Sequence, residues 1–132
     1  MPSVLIVEDN TRLREKIRNS LASRFPSVVF REAVNGKEAF QVIASSRPAL
    51  ILMDIGLGDE NGLDLTKEIK HLYPEIFISI LTGYDFPEYR YAAFKNGADS
   101  FLVKGSATLH EIAKLLETTL LSRKHNHGND ES

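Results

Sequence analysis

The sequence lacks cysteine entirely, so the chain forms no disulfide and offers no thiol for catalysis or metal binding. It also lacks a long hydrophobic run, because no stretch approaches the roughly 18–20 apolar residues that a membrane helix needs. The first residues, Met1-Pro2-Ser3, carry neither the basic stretch nor the apolar run of a secretory signal. These absences favour a cytoplasmic protein without membrane contact.

The chain also lacks a large excess of either charge, because it has 16 lysines and arginines and 18 acidic residues, and its formal net charge is only −2. So weak a field does not recruit nucleic acid or an anionic membrane, and we expect no direct nucleic-acid contact by this domain. The hydrophobic share of 42% and the charged share of 26% are ordinary for a globular protein. A length of 132 residues suffices for one domain with a hydrophobic core. Because the net charge is small, local clusters of residues must decide the partners.

Short apolar runs alternate with helix-period stretches along the chain. The runs cover residues 4–7, 28–30, 50–53, 77–81 and 100–103, and they are typical of strands buried on both faces of a parallel sheet. Between them apolar residues recur at helical spacing, as in Leu13, Ile17 and Leu21. Five strand–helix units predict an α/β fold: a doubly wound, five-stranded parallel sheet of order 2-1-3-4-5 with flavodoxin-like (βα)5 topology.

Helix-capping residues predict where two of the helices begin. Asn35 stands three residues before Glu38, and Asp85 stands three residues before Glu88, the spacing of a capping box. At the other end of the chain the last residues are polar and have no apolar period. We therefore predict one folded domain over residues 1–122 and a polar disordered tail over residues 123–132.

Chemically active residue types collect at one end of the predicted strands. Glu8 and Asp9 follow the first strand, Asp54 the third, Thr82 ends the fourth and Lys104 follows the fifth. In open α/β sheets, ligands bind beyond the carboxyl ends of the strands. Three carboxylates, one hydroxyl and one amine are therefore expected at the same edge of the sheet.

Three carboxylates held together repel one another, so a cation must offset them or one of them must take up a proton. Lys104 supplies one positive charge. An all-oxygen site without His or Cys favours a hard divalent cation, Mg²⁺ or Mn²⁺, which also neutralises charge during phosphoryl transfer. Asp54 is the candidate nucleophile, since a carboxylate that attacks phosphorus forms an acyl phosphate. Thr82 and Lys104 are the candidate partners of the phosphoryl oxygens.

Six segments, taken in order, resemble a known family. They are VLIVED at residues 4–9, AVNG at 33–36, LMDI at 52–55, NGL at 61–63, LTG at 81–83 and NGADSFLVK at 96–104. Over about residues 1–122 the chain resembles the response-regulator receiver domains of two-component signalling systems. It looks most like receivers that precede a helix-turn-helix output domain.

The resemblance implies a signalling switch that catalyses only its own phosphorylation and dephosphorylation, not an enzyme in the ordinary sense. It implies that Asp54 accepts a phosphoryl group from a sensor histidine kinase or a phosphotransfer protein. It also implies Mg²⁺ held by Asp9, Asp54 and the backbone carbonyl of Gly56, with Glu8 acting largely through water. The output would be a downstream protein target or an output domain outside this chain.

The resemblance further implies that Thr82 and Phe101 form the switch, with the aromatic ring following the hydroxyl inward on phosphorylation. Phe101 stands where the family often has tyrosine. Because its ring has no hydroxyl to hold it outward, we expect it to favour burial even before phosphorylation.

The first helical stretch predicts a kinase-docking surface. It carries Arg12, Arg14, Lys16 and Arg18 around its apolar stripe, beside the mouth that the donor histidine must reach. Charge reversal at Arg14 is expected to slow transfer from the kinase and to leave labelling by acetyl phosphate unchanged.

Other functions of the same fold remain open at this point. The chain could be a phosphorylation-independent interaction module or a truncated DNA-binding transcriptional regulator. A flavin-binding module would need a phosphate-cradling loop after the first strand, where this chain has Glu8 and Asp9. A phosphatase of the haloacid-dehalogenase type would want a second aspartate at the position of Gly56.

Overall fold

The computed structural model describes residues 1–105 and 108–131, and the side chains of residues 122–131 lie outside that description. Strands and helices alternate along the chain, and one short strand pair, β4 and β5, follows the third strand. In chain order the elements are β1 (Ser3–Val7), α1 (Thr11–Arg24), β2 (Val29–Ala33), α2 (Gly36–Ser45), β3 (Leu50–Met53), β4 (Gly56–Leu57), β5 (Glu60–Asn61), α3 (Gly62–Leu72), β6 (Phe77–Thr82), α4 (Pro87–Lys95), β7 (Ser100–Val103) and α5 (Thr108–Glu131).

Five strands form one parallel sheet in the order β2-β1-β3-β6-β7. Without the short β4–β5 pair this is the predicted order 2-1-3-4-5, and the predicted doubly wound α/β fold is confirmed. All residues of β1 and β3 are buried, as expected for central strands covered on both faces. The buried apolar runs therefore determine which strands lie at the centre of the sheet.

Each face of the sheet supports its own hydrophobic core. Leu5 and Val7 of β1 face the layer that α2, α3 and α4 cover, whereas Val4 and Ile6 face the layer that α1 and α5 cover. This division follows from the strand geometry, because successive side chains point to opposite faces. Among the described helices, none is long and apolar enough to cross a membrane.

The second strand is longer than predicted, because it runs to Ala33 and not to residue 30. The charged residues Arg31 and Glu32 concealed its end in the sequence. In the structure Glu32 is paired across from Ile6 of β1 and its carboxylate accepts hydrogen bonds from two arginines of α1. An edge strand tolerates such a residue when its charge is paired.

The helix starts match the capping predictions in one case of two. Asn35 caps α2, because its side chain accepts a hydrogen bond of 2.9 Å from the Glu38 N–H. The predicted cap at Asp85 is wrong: Phe86 is the N-cap of α4, without a side-chain hydrogen bond, and Pro87 follows at the start of the helix. Proline suits that position because it has no N–H to satisfy.

Helix α5 extends to Glu131, so its range includes residues of the segment for which the sequence predicts a polar disordered tail. Its backbone hydrogen bonds continue there without a proline to interrupt them. The side chains of this segment and Ser132 lie outside the described residues. The division into a domain of residues 1–122 and a tail stays a prediction.

Candidate functional site

The three predicted carboxylates meet at the carboxyl edge of the sheet. Glu8 follows β1 and Asp54 follows β3, and the register that pairs Val7 with Met53 makes the two carboxylates neighbours. Together with Asp9 they place one carboxylate oxygen each within 4.8 Å of the others. Glu8 is 3% exposed and Asp54 8%, whereas Asp9 is open to solvent. Such a cluster of oxygen ligands suits a hard divalent cation.

Lys104 is the cation that faces this cluster. Its Nζ lies 2.8 Å from Oε1 of Glu8 and 3.4 Å from Oδ2 of Asp54. Its backbone N–H donates to the Thr82 carbonyl at 2.8 Å, which holds the start of the β7–α5 connection against the end of β6. One ammonium group cannot neutralise three carboxylates, so the cluster keeps an excess of negative charge that a divalent cation would offset.

Glu8 is held by hydrogen bonds on all its polar groups. Its N–H donates to the Ala33 carbonyl at 3.0 Å, and its carbonyl accepts from Nη1 of Arg14 at 2.9 Å. Its Oε2 accepts from the Asn10 N–H at 3.2 Å, and its Oε1 accepts from Lys104. Both carboxylate oxygens of Glu8 are therefore engaged by this chain's own donors.

Arg14 does not lie on the docking surface that the sequence predicts. It is only 8% exposed, and its Nε donates to Oε1 of Glu32 at 2.8 Å. A docking role for this residue is wrong, because its guanidinium is already used between α1, β2 and the Glu8 carbonyl. Arg12 of the same helix is exposed, as the prediction requires of a docking residue.

Thr82 is fully buried at the end of β6. Since Met53 is paired with Ile80, Thr82 lies one residue beyond the level of Asp54 on the neighbouring strand. Its Oγ1 accepts a hydrogen bond of 3.2 Å from the Tyr84 N–H. The hydroxyl keeps its own proton for donation to another acceptor.

Phe101 lies apart from the carboxylates, in the core that α2, α3 and α4 cover, and it is 7% exposed. It is paired with Ile80 across the β6–β7 ladder. The guanidinium of Arg90 lies 4.6 Å from its ring centroid and pairs with Asp85 at 3.2 Å. The switching role of Thr82 and Phe101 stays a prediction.

The loop after Asp54 forms a small antiparallel hairpin, β4–β5, that the sequence analysis missed. Gly58 has a φ of 65° in its turn, and the Gly58-Asp59 pair is the sequence signal that could have indicated the hairpin. Gly56 begins β4 and is exposed, and the proposed use of its carbonyl as a metal ligand stays a prediction. Glu60 ties the hairpin to α2, because its carboxylate accepts from the Gly36 N–H at 2.9 Å.

Gly62 is a second feature of this loop that sequence reasoning missed. Its N–H donates to the Ile55 carbonyl at 2.7 Å, and a Cβ built on it would lie 1.9 Å from the carbonyl oxygen of Asp54. Only glycine permits the chain to pass this close to the residue that carries the candidate nucleophile.

A doubly wound sheet that gathers carboxylates at the ends of its central strands defines the class of receiver-type α/β domains. The model of the response regulator receiver domain family matches residues 4–117. The chain belongs to this family, and it is therefore a receiver domain of the two-component response regulators.

Individual relatives agree with this assignment. The response regulator protein VraR of Staphylococcus saprophyticus is 31% identical over 116 residues, which are 88% of this chain and 55% of that protein. The chain spans about half the length of the curated relatives it matches.

Solved structures show the same fold. A CheY-like response regulator receiver domain protein of Methanospirillum hungatei superposes with a TM-score of 0.82 at 25% identity, covering 95% of this chain and 98% of that one. The Mn²⁺-bound form of response regulator Rcp1 superposes with a TM-score of 0.77 at 19% identity, covering 88% and 92% of the two chains, and shows the fold alone.

Proposed function

We propose that Asp54 is the phosphoryl acceptor of this receiver domain and that a divalent cation assists the transfer. The observation that carries the proposal is the unequal charge at the carboxyl edge, where Glu8, Asp9 and Asp54 face the single ammonium group of Lys104. Asp54 follows a fully buried central strand, so its carboxylate has a rigid support. A nucleophile held in this way needs little reorganisation to react.

The cation is Mg²⁺, with Mn²⁺ as an alternative that the same oxygen ligands accept. Asp9, Asp54 and the carbonyl of Gly56 would hold it. Glu8 would act through water, because Lys104 and the Asn10 N–H already occupy its carboxylate oxygens. When bound, the cation supplies neutralisation of charge on the phosphoryl oxygens. Response regulator Rcp1, a protein of the same fold, has been solved in an Mn²⁺-bound form, which supports a divalent cation here.

The chain's own residues complete the transfer. An oxygen of Asp54 attacks the phosphorus of a phosphohistidine, the P–N bond breaks, and the imidazole nitrogen takes the electron pair and then a proton. Lys104 moves from Glu8 toward a phosphoryl oxygen, since its Nζ already lies 3.4 Å from Asp54. Thr82 donates its hydroxyl proton to a second phosphoryl oxygen. The change at Thr82 and at Phe101, which is paired with Ile80 two residues before Thr82, then alters the surface around α4.

The donor is a sensor histidine kinase or a phosphotransfer protein, and the output is a downstream protein or an output domain. The second form of output is supported by the relatives, which are about twice as long as the matched region. We further propose that this transfer takes place in the cytoplasm.

Incubation with acetyl phosphate and Mg²⁺ tests the proposal. One phosphoryl group should appear by mass spectrometry of the intact protein, and Asp54→Asn should abolish it. Asp59→Asn is the matched control, because Asp59 is an exposed acid in the adjacent β4–β5 turn and should be labelled like the wild type. Label that persists in Asp54→Asn would contradict the assignment of Asp54 as the acceptor, whereas a wild type that takes up no label would leave a phosphorylation-independent interaction module as the function.

A further inference from the structure

Arg14 is a buried cation that the proposed transfer does not use. Its guanidinium binds two acceptors at once: the carbonyl of Glu8 at 2.9 Å through Nη1, and Oε1 of Glu32 at 2.8 Å through Nε. The planar guanidinium fork fixes the angle between these two bonds. Arg14 therefore links β2 to the peptide group that joins Glu8 to Asp9.

Glu32 holds this guanidinium in place. It is paired with Ile6 on the neighbouring strand β1, two residues before Glu8, and its second carboxylate oxygen accepts from Arg18. Glu32 is thus itself held by the sheet and by a second arginine. The direction in which Arg14 presents Nη1 to the Glu8 carbonyl is set by the sheet itself.

The orientation of the Glu8 carbonyl bears directly on Asp9. A peptide group is planar, so fixing the carbonyl of Glu8 also fixes the N–Cα bond of Asp9, and the direction of its Cα–Cβ bond then depends on the single dihedral φ. The side chain of Asp9 is exposed, so the backbone is what directs it toward the other two carboxylates.

We propose that Arg14 is a positioning residue of the divalent-cation site, acting through the Glu8 carbonyl and not through contact with a kinase. The inference rests on the proposed metal-assisted function. On loss of Arg14, the inference predicts a change in cation affinity of the opposite sign to the change that simple electrostatics predicts. Loss of a positive charge near a cation site strengthens cation binding by Coulomb's law, whereas loss of a positioning bond weakens it.

Binding of Mn²⁺, followed by electron paramagnetic resonance, and of Mg²⁺, followed by calorimetry, separates these effects. Arg14→Met should weaken affinity about three- to tenfold, in line with loss of one charge-assisted hydrogen bond that is only partly coupled to the site. Arg12→Met is the matched control, because it removes the same charge from an exposed position two residues earlier on α1. It should leave affinity equal or slightly higher.

Two further variants exclude a general loss of folding. Ile43→Val shortens a buried side chain of α2 in the other layer, so it lowers stability without touching the site. Its cation affinity should equal that of the wild type. Arg14→Lys keeps the charge but lacks the planar guanidinium fork that holds two acceptors at a fixed angle, so it should bind the cation less tightly than wild type and more tightly than Arg14→Met. If Arg14→Met does not fold, the lysine variant alone decides.

Equal or tighter binding by Arg14→Met, or by Arg14→Lys where the methionine variant does not fold, would overturn the inference. A wild-type chain that binds neither cation would overturn the inference and the metal site together. A weakened Arg14→Met alongside a wild type that acetyl phosphate does not label would support the inference while contradicting the proposed phosphorylation.

Discussion

A lysine pairs with a carboxylate at each end of the sheet, but the ratio of positive to negative charges differs between the two ends. At the amino end Lys70 of α3 pairs with Asp99 at 2.7 Å, and the same Asp99 oxygen accepts from the Ile78 N–H at 2.9 Å. At the carboxyl end Lys104 faces the cluster of Glu8, Asp9 and Asp54. The first arrangement balances its charges and braces the fold.

The second arrangement has an excess of negative charge, and this difference separates a structural ion pair from a candidate cation site. Surplus charge destabilises a folded protein unless a ligand offsets it. A fold that keeps such a cluster would gain stability from binding a divalent cation, because the binding free energy would add to the free energy of unfolding.

Among the variants that test this comparison, the largest loss of stability should come from a substitution that displaces the backbone at the carboxyl end of the sheet. In Gly62→Ala the new Cβ would overlap the Asp54 carbonyl oxygen at 1.9 Å, and the loop must shift. We expect a loss of about 3 kcal/mol or more in urea unfolding, the upper end for a forced overpacking. Gly83→Ala is the control, because nothing lies within 4 Å of its built Cβ. Equal stabilities for the two variants would show that the loop is free to move.

A smaller effect should follow from removing each lysine. Lys104→Met leaves the buried Glu8 facing Asp54 and should lose about 1–2 kcal/mol in metal-free buffer, since Lys104 is partly exposed. Mg²⁺ should restore part of this loss. Lys70→Met should lose about 1 kcal/mol whether or not Mg²⁺ is present. Denaturant titrations of both variants and the wild type, with and without Mg²⁺, measure these losses. A loss in Lys70→Met, relative to the wild type under the same conditions, that becomes smaller in Mg²⁺ would refute the contrast.

The sequence was sufficient to predict the sheet and the acidic cluster because both depend on local patterns. Apolar runs mark buried strands, and Asp54 directly follows one of them. The burial of Arg14 could not be predicted from local patterns. Arg14 resembles Arg12 in the sequence, and its burial depends on Glu32 and on the Glu8 carbonyl, which only the folded sheet brings near.

The β3–α3 loop shows a second limit of sequence reasoning. The β4–β5 hairpin has two residues in each strand, too few for a periodic pattern. Its attachment to α2 depends on Glu60 and Gly36, which are distant in the sequence. The cap predicted at Asp85 failed because the next two residues, Phe86 and Pro87, form a different helix start.

The most direct test of the charge difference compares Asp54→Asn with Asp99→Asn, two substitutions that each remove one negative charge. In metal-free buffer Asp54→Asn should raise the free energy of unfolding by up to about 1 kcal/mol, because it relieves repulsion, whereas Asp99→Asn should lower it by a similar amount. Mg²⁺ should raise the free energy of unfolding of the wild type and of Asp99→Asn, and it should raise that of Asp54→Asn much less. If Asp54→Asn destabilises the protein as Asp99→Asn does, and Mg²⁺ stabilises both variants equally, the carboxyl end holds no surplus charge and the account is wrong.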